Sequence, residues 1–188
     1  MSNDPPMTYE RVAAVLLEIG MISADKARAV LDDLAEYARN PLDQYGVASA
    51  LESFDLAVSV HADDVDFLEE SYEHLLARAA ELTGGAVTVT DVRLHRGEGD
   101  VAEGPRHDVL EFTRNGEVVT VQAEHFSDEY LDHLAAAEAV DHLSPDDPRR
   151  FHDVGFDREP GHVYETLIAL ATPEQVRALH ERFGLVLR

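Results

Sequence analysis

The dipeptide Asn115-Gly116 most constrains the fold, because it stands between two runs of alternating apolar and polar residues. Both residues accept the positive φ angles of a type I′ turn, which joins neighbouring antiparallel strands. The turn therefore predicts a hairpin that pairs residues 108–113 with residues 118–123. In that register one face of the hairpin is apolar and requires a core to cover it. The side chains on this face are Leu110, Phe112, Val119 and Val121.

Apolar residues at helical spacing predict several helices on both sides of the hairpin. These helices cover residues 8–20, 23–40, 42–54, 64–82, 128–141 and 172–184, the third being the weakest pattern. Thr8, Ser23 and Ser127 stand at positions where a side chain caps a helix N-terminus. Thr172-Gln175 forms a capping box with Pro173 in the first helical position. Residues 57–60 fit either a short strand or a loop.

Strand propensity is high in residues 86–94, and a second hairpin is predicted to pair residues 151–156 with residues 162–170 around Pro160-Gly161. Consecutive hairpins are typical of an antiparallel sheet. The order of elements predicts an α+β fold, in which N-terminal helices precede an antiparallel sheet built from β-hairpins with covering helices, ββ(β)αββα.

A chain of 188 residues is long enough to bury about two-thirds of its unfolded surface without a disulfide or a structural metal. We assign residues 1–60 to an N-terminal helical segment and residues 61–188 to the α+β domain. The sequence leaves open whether the first part packs on the second as one domain.

The formal net charge is −23, and most of it lies in two blocks that contain no lysine or arginine, between Arg39 and Arg78 and between Arg114 and Arg149. Each block holds nine acidic residues, whereas from Arg149 to Arg188 six acids balance six arginines. Nucleic acid and anionic membranes carry the same sign of charge, so neither is expected as a partner.

Two of the predicted helices would present these acids to solvent, opposite their apolar faces. The predicted partner-binding residues are Asp63, Asp64, Asp66, Glu69, Glu70, Glu73, Asp128, Glu129 and Asp132. Opposed charge would steer a basic protein partner onto these faces. The alternative is that the acids only keep the protein soluble, as in the acidic proteome of a GC-rich genome. Lys26, the single lysine, fits that coding bias.

The three aspartates at the start of the first acidic helix also match a pattern that holds Mg²⁺ in nucleotide-using enzymes. Acidic residues at a helix start equally complement the helix dipole, and we favour that role. A second metal hypothesis uses His125, Glu129 and His133, whose spacing of four would place them on one helix face. Because His125 precedes the cap at Ser127, only two ligands are secure, and no cofactor or metal is predicted.

No phosphate-binding loop, nucleophile elbow or dinucleotide fingerprint occurs in the sequence. Catalytic residues that converge only in the fold have no local signature. Glu165 and Asp91 are the carboxylates most expected to be partly buried, because each lies inside an apolar strand.

The sequence contains no cysteine, which agrees with a reducing compartment. Asp4 and Glu18 are incompatible with a secretory signal, and no run approaches the roughly 20 apolar residues that span a bilayer. A soluble, cytoplasmic protein is therefore expected.

Several segments resemble small uncharacterised actinobacterial proteins: the hairpin of residues 109–123, the acidic stretch after Ser127, the run Arg149-Arg150-Phe151 and the helix start at residues 171–175. In general character such proteins are similar to immunity proteins of bacterial toxin systems. The resemblance covers about the last 105 residues. The tryptophan-containing and Leu-Pro patterns of the best-known immunity superfamily are absent. The resemblance implies an intracellular antidote that occludes a toxin.

Three functions remain open at this point. The first is a non-enzymatic immunity-type protein that binds a basic partner through its acidic surface. The second is a metal-assisted hydrolase or transferase whose site forms only in the fold. The third is an adaptor subunit of a larger assembly, for which an exposed apolar patch within residues 12–34 would be the sign.

Overall fold

A computed structural model describes residues 6–61, 64–156 and 165–188. The elements are α1 (Tyr9–Glu18), α2 (Ala24–Asp33), α3 (Gln44–Ser53), β1 (Ala57–His61), α4 (Leu68–Leu82), β2 (Val89–His95), β3 (Arg106–Arg114), β4 (Glu117–His125), α5 (His133–Asp141), β5 (Arg150–Gly155), β6 (Glu165–Ala171), α6 (Pro173–Phe183) and β7 (Val186–Leu187). The predicted α+β class is confirmed.

The strands form two antiparallel sheets, one of four strands in the order β1-β6-β5-β7 and one of three in the order β2-β3-β4. Residues 57–61 form a strand, which resolves the ambiguity of that segment. Since β1 pairs with β6, residues 57–61 share a sheet with residues 165–171.

The hairpin predicted from Asn115-Gly116 joins β3 to β4 in the expected register, with Leu110 opposite Val121 and Phe112 opposite Val119. Asn115 and Gly116 have φ angles of 50° and 86°, as a type I′ turn requires. The second hairpin pairs β5 with β6. Its proposed turn at Pro160-Gly161 lies outside the described residues.

The four-stranded sheet separates two apolar cores. On one face, Val58, Val60 and Ile168 pack against α4, α5 and the three-stranded sheet. On the other, Ala57 and Leu167 pack against α3 and α6, and residues of α1 and α2 complete that core. Successive side chains on a strand point to opposite faces, so neighbouring residues of β1 and β6 reach different cores.

The helices α1 and α2 turn their apolar sides inward, onto the second core. Val12 and Leu16 are fully buried, and Ala27 and Val30 are nearly so. The apolar patch that would support an adaptor function is therefore packed into the protein's own second core.

Three of the four predicted helix caps are confirmed, whereas Ser127 does not cap a helix, because α5 begins at His133 with Asp132 as its cap. Thr8 and Ser23 accept hydrogen bonds from the amides of Arg11 and Lys26. Thr172-Gln175 forms the reciprocal capping box of α6, and Gly184 ends that helix with φ 72°. Within the described parts of the chain, no helix has the length and apolar character needed to cross a membrane.

Candidate protein-binding surface

The helix α4 begins at Leu68, four residues later than predicted. The reason is a tertiary hydrogen bond: the Val65 amide donates to the Glu129 carbonyl at 2.7 Å. Phe67, the residue before the helix, is extended and provides no side-chain cap. Asp64 and Asp66 consequently precede the helix instead of lying on its face, and Asp63 is outside the described residues.

The second predicted acidic helix is also shorter, because α5 begins at His133 and not at residue 128. Asp132 caps it, accepting from the Leu134 amide at 2.9 Å with one oxygen and from the Glu124 amide at 2.9 Å with the other. The prediction that Asp128, Glu129 and Asp132 share a helix face is therefore wrong. Hydrogen bonds to distant parts of the chain hold residues 128–132 out of a helix.

Residues 64–70 and 126–134 lie side by side and expose large apolar side chains. Phe67 is 64% exposed, Phe126 72% and Leu134 82%, and Tyr130 is also exposed. We call this surface, together with the exposed Glu73 further along α4, the apolar–acidic face. It comprises Asp64, Asp66, Phe67, Glu69, Glu70, Glu73, Phe126, Asp128, Glu129, Tyr130 and Leu134.

The apolar–acidic face contains two shallow depressions. Phe67, Glu69 and Asp128 line the first, together with Arg96 at its edge. Phe126, Tyr130 and Leu134 line the second. The apolar groups thus lie next to carboxylates drawn from both acidic blocks of the sequence.

Most of the acids on this face form no ion pair within the part of the chain that the structure describes. Within the described residues, Asp66, Glu70, Glu73 and Glu129 form no ion pair with lysine or arginine. Asp64 is hydrogen-bonded to Tyr130, which raises the pKa of that phenol. The face therefore carries a concentration of negative charge that ion pairs among the described residues do not neutralise.

Three of the predicted partner-binding acids instead have a structural use. The Glu69 carboxylate accepts from the Leu94 amide at 2.7 Å, which ties α4 to β2. Asp128 accepts from Arg106 at 2.8 Å and lies 3.4 Å from Arg96. Together with Asp132, which caps α5, these residues contribute more to the structure of the face than to its unpaired negative charge.

A buried polar network lies behind the apolar–acidic face. Arg106 donates to both oxygens of Asp108, at 2.8 and 2.9 Å, and its third contact is Asp128. Asp108 also accepts from the Gly97 amide at 2.9 Å. A side chain at Gly97 would not fit, because a Cβ there would lie 1.9 Å from the His107 carbonyl oxygen.

His125 extends this network to α4. Its Nδ1 lies 2.8 Å from Asp108 Oδ2 and its Nε2 lies 3.0 Å from the Tyr72 hydroxyl. The Tyr72 oxygen accepts from the Asp132 amide at 3.1 Å. An ionised Asp108 can only accept hydrogen bonds, so His125 Nδ1 carries a proton and donates it in a hydrogen bond to Asp108. His125 Nε2 then accepts a hydrogen bond from the Tyr72 hydroxyl. Asp108, His125 and Tyr72 therefore each have hydrogen-bond partners.

This geometry excludes the metal site proposed from His125, Glu129 and His133. Both ring nitrogens of His125 are occupied by protein groups, and His133 turns towards Thr166, 3.1 Å away. With Glu129 outside a helix, the spacing of four that motivated the site does not place these residues together.

Burial and hydrogen bonding shift the pKa values of the network. Burial alone would raise the pKa of Asp108, but the hydrogen bonds from Arg106 and Gly97 outweigh it and lower the pKa. Burial raises the pKa of Tyr72. Asp108, His125 and Tyr72 are at most 1% exposed, so no substrate reaches them in this conformation. The buried network therefore supports the apolar–acidic face from behind.

A separate group of potential metal ligands lies on the opposite side of the four-stranded sheet. Ligand atoms of Glu52, His61 and Glu165 all lie within 4.8 Å of one another. The prediction that Glu165 is buried is confirmed, at 6% exposure. Asp91 is exposed and has φ 55° beside an irregularity in β2, so the corresponding prediction for it was wrong.

Comparisons with protein-family models, curated proteins and solved structures find no match to this chain.

Proposed function

We propose that this is a non-enzymatic cytoplasmic binding protein, of the immunity or antidote type, that occludes a basic protein partner with its apolar–acidic face. The observation that carries the proposal is the exposure of Phe67, Phe126, Tyr130 and Leu134 in two neighbouring depressions that carboxylates also line, among them Asp66, which forms no ion pair within the described residues. Exposed apolar patches with a polar rim are typical of protein interaction sites.

The apolar side chains are the source of affinity in this proposal. Burying one large apolar side chain is worth about 1.5–3 kcal/mol. Interfaces concentrate their binding energy in a few such residues near the centre, of which aromatic residues are the most frequent. Phe126 and Leu134 are the most exposed of the four and have the most area to lose.

The acidic residues supply rate and selectivity. Charges at the edge of an interface accelerate association with an oppositely charged partner and disfavour partners of like charge. Asp66, Glu70 and Glu73 fit this role because their exposed carboxylates have no intramolecular ion pair in the described residues. A basic protein is the partner that their charge complements.

The buried network supports the same proposal by holding the face in place. Asp128 and Asp132 are tied from behind to Arg106 and Tyr72. A surface that is already ordered loses less conformational entropy on binding. The face is thus prepared to bind without a large rearrangement.

The proposal is tested by placing a photo-crosslinking amino acid at position 126 in the native cell. A matched control is position 118, because Val118 is 67% exposed on β4 but belongs to another part of the surface. We expect position 126 to crosslink to a protein with a basic isoelectric point, and position 118 not to.

The charge requirement is tested by combining the probe at position 126 with a triple variant, D66N/E70Q/E73Q. Its control is D32N/D33N/E36Q, which removes the same number of exposed charges near α2. The first triple variant should reduce crosslinking and its sensitivity to salt, while the control should not. Equal crosslinking from positions 126 and 118, an acidic partner, or no difference between the triple variants would reject the proposal.

A further inference from the structure

Three packed elements bring Glu52, His61 and Glu165 together. Glu52 lies near the end of α3, His61 ends β1, and Glu165 begins β6. His61 and Glu165 are directly opposite each other in the antiparallel pair of β1 and β6. The positions of the three side chains are therefore set by the core and by a strand register, which gives the cluster a rigid frame.

Ser59 determines which nitrogen of His61 carries the proton. Its hydroxyl donates to Glu52 Oε1 at 2.7 Å, because a carboxylate can only accept. The same Ser59 oxygen lies 2.8 Å from His61 Nε2, and with its proton already used it accepts from Nε2–H. In the neutral imidazole, Nδ1 is then left with a lone pair.

That lone pair faces an oxygen of Glu165. His61 Nδ1 and Glu165 Oε1 are 3.5 Å apart, and both are electron-pair donors. The contact is favourable when a cation lies between the two atoms, either a proton on Nδ1 or a metal ion that both atoms bind. Tetrahedral Zn²⁺ holds nitrogen and oxygen ligands at about 2.0–2.2 Å, which places neighbouring ligand atoms about 3.4 Å apart. The observed separation matches that geometry.

Tyr45 fixes the remaining ligand. Its hydroxyl donates to Glu165 Oε2 at 2.6 Å, so the carboxylate is oriented with Oε1 towards His61. Hydrogen bonds of this kind, from residues behind the ligands, orient metal-binding side chains and contribute to affinity. Ser59 and Tyr45 both occupy such supporting positions.

From this arrangement we infer that Glu52, His61 and Glu165 bind a divalent transition-metal ion. One imidazole and two carboxylates are a donor set suited to Zn²⁺, Mn²⁺ or Fe²⁺. Three protein ligands leave a coordination position for water, and the His61 side chain is 53% exposed, so solvent reaches the site.

The metal site is separate from the apolar–acidic face. Glu165 and Thr166 are consecutive residues of β6 and point to opposite faces of the sheet. Thr166 meets His133, next to the face, whereas Glu165 meets Tyr45 of α3. The metal-site inference and the protein-binding proposal therefore depend on different residues, and each can be rejected without the other.

The inference is tested by calorimetric titration of Zn²⁺ and of Mn²⁺ into the full-length protein after treatment with a chelator and its removal. The variants are E52Q and H61A, which change half-buried and exposed side chains and so preserve the fold. The matched control is H107A, because His107 is also exposed on a strand and lies 4.0 Å from a carboxylate, that of Glu124.

We expect one ion per chain in the wild type and in H107A. We also expect an affinity loss greater than about 100-fold in E52Q and in H61A, and of about 10-fold in S59A, whose hydroxyl only orients the ligands. Bound Co²⁺ should give the absorption of a low-coordinate site in the wild type and lose it in H61A. Absence of binding by the wild type overturns the inference. So does equal binding by all variants, which would indicate ions held by the acidic surface in general.

Discussion

Two histidines beside carboxylates of neighbouring strands, His125 and His61, occupy contrasting environments. His125 is 1% exposed, with Asp108 on one ring nitrogen at 2.8 Å and Tyr72 on the other at 3.0 Å. His61 is more than half exposed, and its Nδ1 lies 3.5 Å from Glu165, beyond a normal hydrogen bond.

The difference shows that residue type alone does not identify a site. A buried polar group whose partners are complete stabilises the fold and has no capacity for a ligand. A half-exposed group with an incomplete set of partners has that capacity. The carboxylates follow the same division, since Asp108 is fully paired within the fold whereas Glu73 is exposed without an ion pair in the described residues.

The largest expected difference between the two histidine regions is in stability. D108A leaves the buried Arg106 guanidinium with Asp128 as its remaining ionic partner and removes the acceptor of His125. Breaking a buried charge pair on one side costs about 3–5 kcal/mol of unfolding free energy. H61A, measured by the same urea denaturation in the presence of a chelator, should stay within about 0.5 kcal/mol of the wild type. Similar losses in both variants would remove the contrast.

A smaller loss is expected when the network keeps its charges but loses one hydroxyl. Y72F leaves the Asp132 amide and His125 Nε2 without their partner, and an unsatisfied buried group costs about 1–3 kcal/mol. Y37F is the control, because Tyr37 is 58% exposed. If urea denaturation finds the two variants equally stable, the hydrogen bonds that link the Asp132 amide, Tyr72 and His125 do not contribute to stability.

The pH dependence of stability provides a third comparison. The folded-state pKa of Asp108 is lowered, so its contribution is complete above the unfolded value of about 3.9 and is lost as the pH falls through the folded pKa. In D108N, the acid-side slope of unfolding free energy against pH should be shallower by up to about 1.4 kcal/mol per pH unit. Unfolding curves at a series of pH values below 5 measure it, and an unchanged slope would contradict this assignment.

The smallest effect concerns exposed charges with and without partners. E73Q removes like-charge contacts with Glu69 and Glu70 on α4 and should raise stability by about 0.2–0.5 kcal/mol per contact at low salt. E81Q removes a favourable contact with Arg78 on the same helix and should lower stability by a similar amount. Both changes should vanish in about 1 M salt, where charges are screened within about 3 Å. Persistence at high salt would show that another interaction is responsible.

Local signals predicted a large part of this fold. The Asn115-Gly116 turn, the caps Thr8 and Ser23, and the capping box at Thr172 all form as expected. Each depends on residues a few positions apart, and the interactions they make are short-range. The strand register that follows from the turn also placed Leu110 and Phe112 in the core.

The candidate sites were predicted only in part. The acidic residues Glu70 and Glu73 are exposed on α4 as expected, but Asp66 lies before that helix. No local pattern connects Glu52 with Glu165, although a glutamate within an apolar strand correctly indicated burial of the latter. A candidate metal site whose residues come from three elements has no spacing that sequence periodicity detects.

The sequence by itself determined the turns, the caps, the apolar faces and the two blocks of acidic charge, because these depend on residue type and short spacing. Tertiary structure decided where α4 and α5 begin. The Val65 amide donates to the Glu129 carbonyl and Asp128 accepts from Arg106, and neither residue joins a further helical turn. The same long-range bonds draw the two acidic blocks together around Phe67 and Phe126. The apolar–acidic face thus exists only in the folded chain.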